Sequence, residues 1–245
     1  MNAIEDNDFT RTLARLGARL PRPAAALCVS AHWLTRGSRV TGTAEPRTIH
    51  DFGGFPEALH EVRYPAPGSP ALAALVRETV GGGAVVVDKD RGLDHGAWSV
   101  LRHLYPKADV PVVQLSIDSG ASPREHFELG KKLRPLREEG ILILGAGNVV
   151  HNLSRISFDA HAAPEAWAVE FDAWLKERLE ARDFEPLLGD LAAAPSGELA
   201  VPTPEHFDPL LYVLGASDAR DKLRFEYEGM QNGSISMRSV SFGAA

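Results

Sequence analysis

The chain has 245 residues, of which 44% are hydrophobic and 24% charged, and its formal net charge is -7. Such a chain can bury a full core, so it is not a disordered protein. The negative charge and the lack of a basic cluster argue against a nucleic-acid partner. No apolar run reaches the ~20 residues that a membrane span needs. The acidic start, residues 5–8, is unlike a signal peptide. A single cysteine, Cys28, lies in an apolar run, where a packing role is expected, and it suits a reducing compartment. We therefore expect a cytoplasmic protein with no membrane partner.

Segments with the spacing of helices alternate with short apolar runs along the whole chain. The predicted helices cover residues 9–20, 70–80, 98–104, 123–136, 167–180 and 207–214. The predicted strands cover residues 24–30, 39–43, 84–87, 110–117, 141–144, 223–227 and 234–242. Asp8 is the predicted N-cap of the first helix, and the last two strands are expected to form a hairpin at an edge of the sheet. This order predicts a single α/β domain over residues 1–245, with a largely parallel central sheet flanked by helices.

The stretch GILILGAGNVVHNL, residues 140–153, places a histidine behind a strand and a small-residue loop. Residues 141–144 are the predicted buried strand, and His151 is expected where the loop turns into a helix. Because ligands of open α/β sheets bind outside the carboxyl ends of strands, His151 is a candidate functional residue. GAGN is too short for a dinucleotide or P-loop fingerprint, so the alternative is a tight turn with an incidental histidine.

Nine histidines are present, and their positions in the sequence distinguish candidate functional residues from the others. Imidazole is a common metal ligand and a frequent acid or base near neutral pH. His32, His151 and His206 fall at predicted strand ends or helix starts. His95 precedes the helix at 98–104, where the partial positive charge of the helix favours a neutral imidazole. No cysteine pair or close histidine spacing exists, so a metal site would be assembled over long range, and imidazole suits zinc or ferrous iron.

Eight segments, in order along the chain, resemble the class III extradiol ring-cleavage dioxygenases. They are SAHW (30–33), TIHDFGGFP (48–56), YPAPGSP (64–70), LDHGAWSVL (93–101), VPVVQLSID (110–118), GNVVHNL (147–153), PTPEHFDPLLYVLGA (202–216) and GSISMRSVSFG (233–243). The branch that they resemble most is the DOPA 4,5-dioxygenase-like group of bacteria and plants. The resemblance extends from about residue 1 to residue 243.

This resemblance implies a non-haem metal, either Fe(II) for oxygen chemistry or Zn(II). The histidines of SAHW, VVHNL and PTPEH match the family's site, which implies His32, His151 and His206 as metal ligands. The HDFGGFP loop matches a pocket-lining segment, which implies that His50 and Phe52 contact the substrate.

The implied reaction opens a catecholic ring with O₂ beside its two hydroxyl groups and yields a muconic semialdehyde. His151 and His95 are the implied catalytic residues, and His95 is also expected near the substrate. A neutral imidazole can act as a base toward a catechol hydroxyl and as an acid later in the reaction.

One departure from the family concerns the start of the chain. In the family, a strand that ends in an HGxP-like motif precedes the segment matching MNAIEDNDF, and its histidine is a metal ligand. Met1 falls directly after that motif, so this first strand is missing from the sequence. We expect a start assigned too late rather than a true loss, because a missing strand would expose apolar neighbours and unpaired backbone groups.

Two other functions remain open from the sequence. A zinc-dependent hydrolase would use His32, His151 and His206 to activate water and would work without O₂. A non-catalytic metal-binding homologue would keep the pocket but turn over no catechol.

Overall fold

The computed structural model describes residues 2–243, so the question of a strand before Met1 lies outside the described residues. The contacts within the chain define two compact units, residues 1–121 with 132–146 and residues 122–131 with 147–245. Within residues 2–243, no helix is long and apolar enough to cross a membrane.

Every helix and strand predicted from the sequence overlaps an observed element. The helices are α1 (Asp8–Arg19), α2 (Glu57–His60), α3 (Pro70–Thr79), α4 (His95–Leu104), α5 (Pro123–Leu133), α6 (Ala166–Ala181), α7 (Gly197–Ala200) and α8 (Asp208–Ala216). The strands are β1 (Ala25–Thr35), β2 (Ser38–Thr41), β3 (Val85–Asp88), β4 (Val112–Asp118), β5 (Ile141–Ala146), β6 (Lys222–Tyr227), β7 (Met230–Gln231), β8 (Ile235–Ser236) and β9 (Ser239–Gly243). Short 3₁₀ turns occupy Arg134–Arg137, Leu153–Arg155, Glu185–Leu188, Leu191–Ala193 and Pro204–His206.

The first unit contains a five-stranded sheet in the order β3-β2-β4-β1-β5. Strand β1 is parallel to β4 and β5, and β2 is parallel to β3, while β2 and β4 are antiparallel. Helices α3 and α4 pack on this sheet. Leu27 and Cys28 of β1 and Leu115 of β4 are fully buried, as expected for its central strands. The predicted α/β class with a largely parallel sheet and flanking helices is confirmed.

Strand β5 is an edge strand of this sheet, whereas the sequence predicted that it is buried. It pairs with β1 only, and no second neighbour exists among the described residues. Ile141 and Ala146 are buried, while residues 142–145 between them are only half-buried. An apolar run indicates a strand, but it does not specify how many of its sides are covered.

The two C-terminal strands pair with each other as predicted, but they do not join the edge of the main sheet, so their predicted location is wrong. In the second unit, β6 and β9 form a separate antiparallel pair, and β7 and β8 form another. The predicted strand at 234–242 is interrupted because its first part bonds elsewhere in the unit. The N–H of Ser236 donates to the carbonyl of Val150, and that of Met237 donates to the carbonyl of Gly229.

Helix α1 is capped by Asn7, not by the predicted Asp8. The Asn7 side chain accepts a hydrogen bond from the Thr10 N–H at 3.0 Å, and the Thr10 hydroxyl accepts one from the Asn7 N–H at 3.0 Å. This reciprocal pair is a capping box, which satisfies two free N–H groups at once. Asp8 is the first helical residue, where its negative charge still favours the helix.

A stability prediction follows from the packing of α1 on α4. A Cβ at Gly17 would lie 2.0 Å from the carbonyl oxygen of Leu104. We expect Gly17→Ala to lower the free energy of unfolding by about 1–3 kcal/mol, as overpacking does, despite the ~1 kcal/mol that alanine gains in an open helix. Gly83→Ala is the control, because nothing lies within 4 Å of its added Cβ. Urea unfolding of both variants measures this, and equal midpoints would contradict the close packing.

Candidate active site

His32 lies inside β1, not after the strand as predicted. The register between β1 and β4 shifts between Val29 and Leu34, and the pairing of β1 with β5 ends at Ser30. A register shift of this kind bends a strand and redirects its side chains. The His32 N–H donates to the Ser30 hydroxyl at 3.3 Å. His32 therefore lies in the irregular part of the central strand, beyond its pairing with β5.

The buried carboxylate of Asp94 determines where α4 begins. It accepts hydrogen bonds from the Ala97 N–H at 3.1 Å, the Ser30 hydroxyl at 2.7 Å and the Gln114 amide at 2.8 Å. These bonds connect the helix to β1 and β4 and leave His95 as the first helical residue. The sequence predicted a start at Trp98, although an aspartate before His-Gly-Ala is itself an N-cap signal.

The imidazoles of His32 and His95 lie against each other, with ring centroids 3.8 Å apart. Asp51 lies next to His95, with its Oδ1 2.9 Å from His95 Nδ1. One potential ligand atom from each of these three residues lies within 4.8 Å of the other two. We call His32, Asp51 and His95 the imidazole cluster. Two imidazoles and one carboxylate are a donor set that suits a divalent transition metal.

Asp51 is the functional candidate that the sequence analysis missed. Burial raises the pKa of its carboxyl group, but the hydrogen bonds and charge of His95 outweigh burial and lower the pKa to about 2. The carboxylate is therefore ionised throughout the neutral range. Its position next to His50, in the same HDFGGFP loop, was the only signal in the sequence.

A group of aromatic rings in the first unit reaches His95 through Phe52. The Phe52 ring centroid lies 5.2 Å from that of His95, 4.9 Å from that of His60 and 6.2 Å from that of Trp98. His50 lies 5.7 Å from Trp98. We call His50, Phe52, His60 and Trp98 the aromatic wall. Phe52 thus contacts His95 and His50 contacts Phe52, while His60 was not anticipated from the sequence.

In the second unit, His151 and His206 stack in parallel, with ring centroids 3.5 Å apart and an interplanar angle of 7°. His151 does not begin a helix, as the sequence predicted. Its backbone forms a bridge with Ile235, and its N–H donates to the Ala200 carbonyl at 2.9 Å. These long-range bonds hold residue 151 extended. Burial lowers the pKa of His151, against a smaller opposing effect of Glu205.

His206 closes the 3₁₀ turn Pro204–His206 and does not open an α-helix, because α8 begins at Asp208. The His206 carbonyl accepts a hydrogen bond from the Asn148 N–H at 2.9 Å. A Cβ at Gly147 would lie 2.2 Å from that carbonyl oxygen, so the loop behind β5 requires glycine here. The glycine loop and the PTPEH motif, far apart in sequence, are therefore joined through backbone atoms.

Arg238 fixes the segment that supports His151. Only 5% of its side chain is exposed, and it pairs with Asp172 and with Glu228, the latter at 2.7 Å. The Ser236 hydroxyl also donates to Asp172 at 2.7 Å. Since Ile235 bridges His151, this ion pair connects the backbone of the histidine to α6.

We expect Arg238→Ala to lower the free energy of unfolding by about 3 kcal/mol. Breaking a buried ion pair costs ~3–5 kcal/mol, and the low end applies because Ser236 still bonds Asp172. Arg220→Ala is the matched control, since its side chain is 91% exposed beside Asp218. Equal losses in chemical denaturation of the two variants would mean that Arg238 does not stabilise this segment.

The model of the family described as the catalytic LigB subunit of aromatic ring-opening dioxygenase matches residues 4–243. The chain belongs to this family, and it is an extradiol dioxygenase. This confirms the resemblance seen in the sequence motifs.

Several relatives carry a more specific name. The chain is 49% identical to a 4,5-DOPA dioxygenase extradiol of Escherichia coli (strain K12), over 99% of this chain and 91% of that protein. It is 39% identical to a 4,5-DOPA dioxygenase extradiol of Beta vulgaris, over 90% of this chain and 83% of that protein. A crystal structure of an uncharacterized protein from Escherichia coli K12 is similar, with a TM-score of 0.85 and 44% identity, and it covers 97% of this chain and 93% of that one.

Proposed function

We propose that this dioxygenase opens the ring of a DOPA-like catechol with O₂ and that residues 1–245 act as one catalytic domain. The observation that carries the substrate class is the 49% identity to a 4,5-DOPA dioxygenase extradiol across nearly the whole chain. The aromatic wall beside His95 supports it, because ring faces and edges favour the offset packing of an aromatic substrate. We also propose a cytoplasmic location, which a single buried cysteine suits.

For the metal, we propose Fe(II), with Zn(II) as the alternative, and His32, His151 and His206 as its ligands. Two of the proposed ligands, His151 and His206, support this assignment because their ring centroids lie 3.5 Å apart. The third, His32, belongs to the imidazole cluster, and imidazole nitrogen is a donor type that suits a divalent transition metal. When bound, the metal supplies Lewis-acid binding of the catechol oxygens and, as Fe(II), electrons for the chemistry of O₂.

The side chains of this chain hold the substrate and move its protons. We propose that His50 and Phe52 contact the aromatic ring and exclude water from one side of it. His95 and His151 are the proposed acid–base residues, each able to accept the proton of a catechol hydroxyl and to return it later.

The test compares the enzyme loaded with Fe(II) and with Zn(II), in air and without O₂. We expect O₂ uptake and ring opening with L-DOPA only for the Fe(II) form in air, and weaker activity with catechols that lack the amino-acid side chain. Activity of the Zn(II) form without O₂ would favour the hydrolase, and no O₂ uptake with any catechol would favour a non-catalytic homologue.

A further inference from the structure

We infer that Asp51 is a positioning residue, which holds His95 in the tautomer protonated on Nδ1 and so presents a bare Nε2 to the substrate. The inference rests on the proposed role of His95 in acid–base catalysis. It assigns a function to Asp51, a residue of the HDFGGFP loop to which the sequence motifs gave no role.

The hydrogen bonds of Asp51 define the tautomer. Its Oδ1 lies 2.9 Å from His95 Nδ1 and accepts the backbone N–H of His95 at 3.1 Å. An ionised carboxylate only accepts hydrogen bonds, so the ring nitrogen facing it carries the proton. In a neutral imidazole, the proton on Nδ1 leaves the lone pair on Nε2.

The surroundings of His95 limit the rotation of its ring. His32 packs at 3.8 Å with its plane tilted by 40°, and Phe52 meets the ring edge-on at 5.2 Å. The backbone is also fixed, because the Asp94 carboxylate caps the helix that begins at His95. Asp51 bonds both the ring and the backbone of His95, so it couples the direction of the side chain to the start of α4.

Asp51 also belongs to the group that has the spacing of a metal site, and a direct ligand role is the competing explanation. A positioning role accounts for the two N–H groups of His95 that Oδ1 accepts, whereas a ligand role alone gives no reason for them. A carboxylate that orients an imidazole is a common arrangement around functional histidines. The two roles differ in what the loss of Asp51 does to metal content.

The tautomer can be measured without any turnover. In protein labelled with ¹⁵N-histidine, loaded with Zn(II) and held at pH 8, long-range ¹H–¹⁵N spectra distinguish the two neutral forms, and His95→Gln identifies the signals. We expect His95 to be protonated only on Nδ1. In Asp51→Asn, where the amide can donate as well as accept, we expect a mixture of both tautomers. Protonation of His95 on Nε2 in the unaltered protein would overturn the inference, whatever the substrate of the enzyme.

Kinetics and metal analysis provide the second measurement. We expect Asp51→Asn to lower kcat by about 10²-fold at unchanged KM and metal content, less than the ~10⁴-fold loss for the orienting aspartate of a serine protease. Asp51→Glu should restore part of the rate, and Asp90→Asn, an exposed control, should leave it unchanged. Because the two residues act as one unit, Asp51→Asn combined with His95→Gln should lose no more than His95→Gln alone. Metal loss in Asp51→Asn, or additive losses in the double variant, would overturn the positioning role.

Discussion

Replacing His95 with glutamine is expected to lower kcat by about 10²–10⁴-fold, the usual contribution of a general acid–base residue. Glutamine keeps much of the size of the side chain but cannot exchange a proton near neutral pH. The metal content should stay the same, because His95 is proposed to act on the substrate and not as a ligand.

The matched control for His95→Gln is His161→Gln, which changes an exposed histidine that belongs to neither the imidazole cluster nor the aromatic wall. Its ring-opening rate should equal that of the unaltered enzyme. If His95→Gln retained the full rate of ring opening, His95 would have no part in the mechanism.

The second large effect is expected on metal binding. His32→Ala and His206→Ala each remove a proposed imidazole ligand, so metal affinity should fall by more than the ~10–100-fold that the loss of an outer-sphere partner costs. Elemental analysis of the purified variants and titration with Zn(II) measure this, again with His161→Ala as the control. Unchanged metal content in both variants would contradict the ligand assignment.

The elements of the fold could be predicted because they depend on local patterns. Apolar spacing identified each of the longer helices, and apolar runs identified the strands of the main sheet. The ends of elements could not be predicted as well, because side chains determine them through specific hydrogen bonds. Asn7 rather than Asp8 caps α1, and Asp94 starts α4 three residues before the predicted position.

Long-range hydrogen bonds account for the larger errors in the structure predicted from the sequence. The extended conformation at His151 depends on backbone bonds to Ala200 and Ile235. These residues lie far along the chain, so they do not affect the apolar spacing around residue 151. The half-buried state of β5 depends on how many neighbours it has, which an apolar run does not encode.

The candidate site likewise contains residues that the sequence identified and one that it did not. Motifs drew attention to His32, His50, Phe52 and His95, which lie close together in the first unit. Asp51 was not identified from the sequence because its partner, His95, is 44 residues away. A single aspartate in a loop also has many ordinary roles.

The most direct test of extradiol ring opening is the fate of the two atoms of O₂. The Fe(II) enzyme is given L-DOPA under ¹⁸O₂, and the ring-opened product is trapped quickly and examined by mass spectrometry. A dioxygenase incorporates both labelled atoms, one into the new carboxylate and one into the new aldehyde, with one O₂ consumed per catechol. A ring-opened product that carries oxygen from water alone, or that forms at the same rate without O₂, would contradict the function.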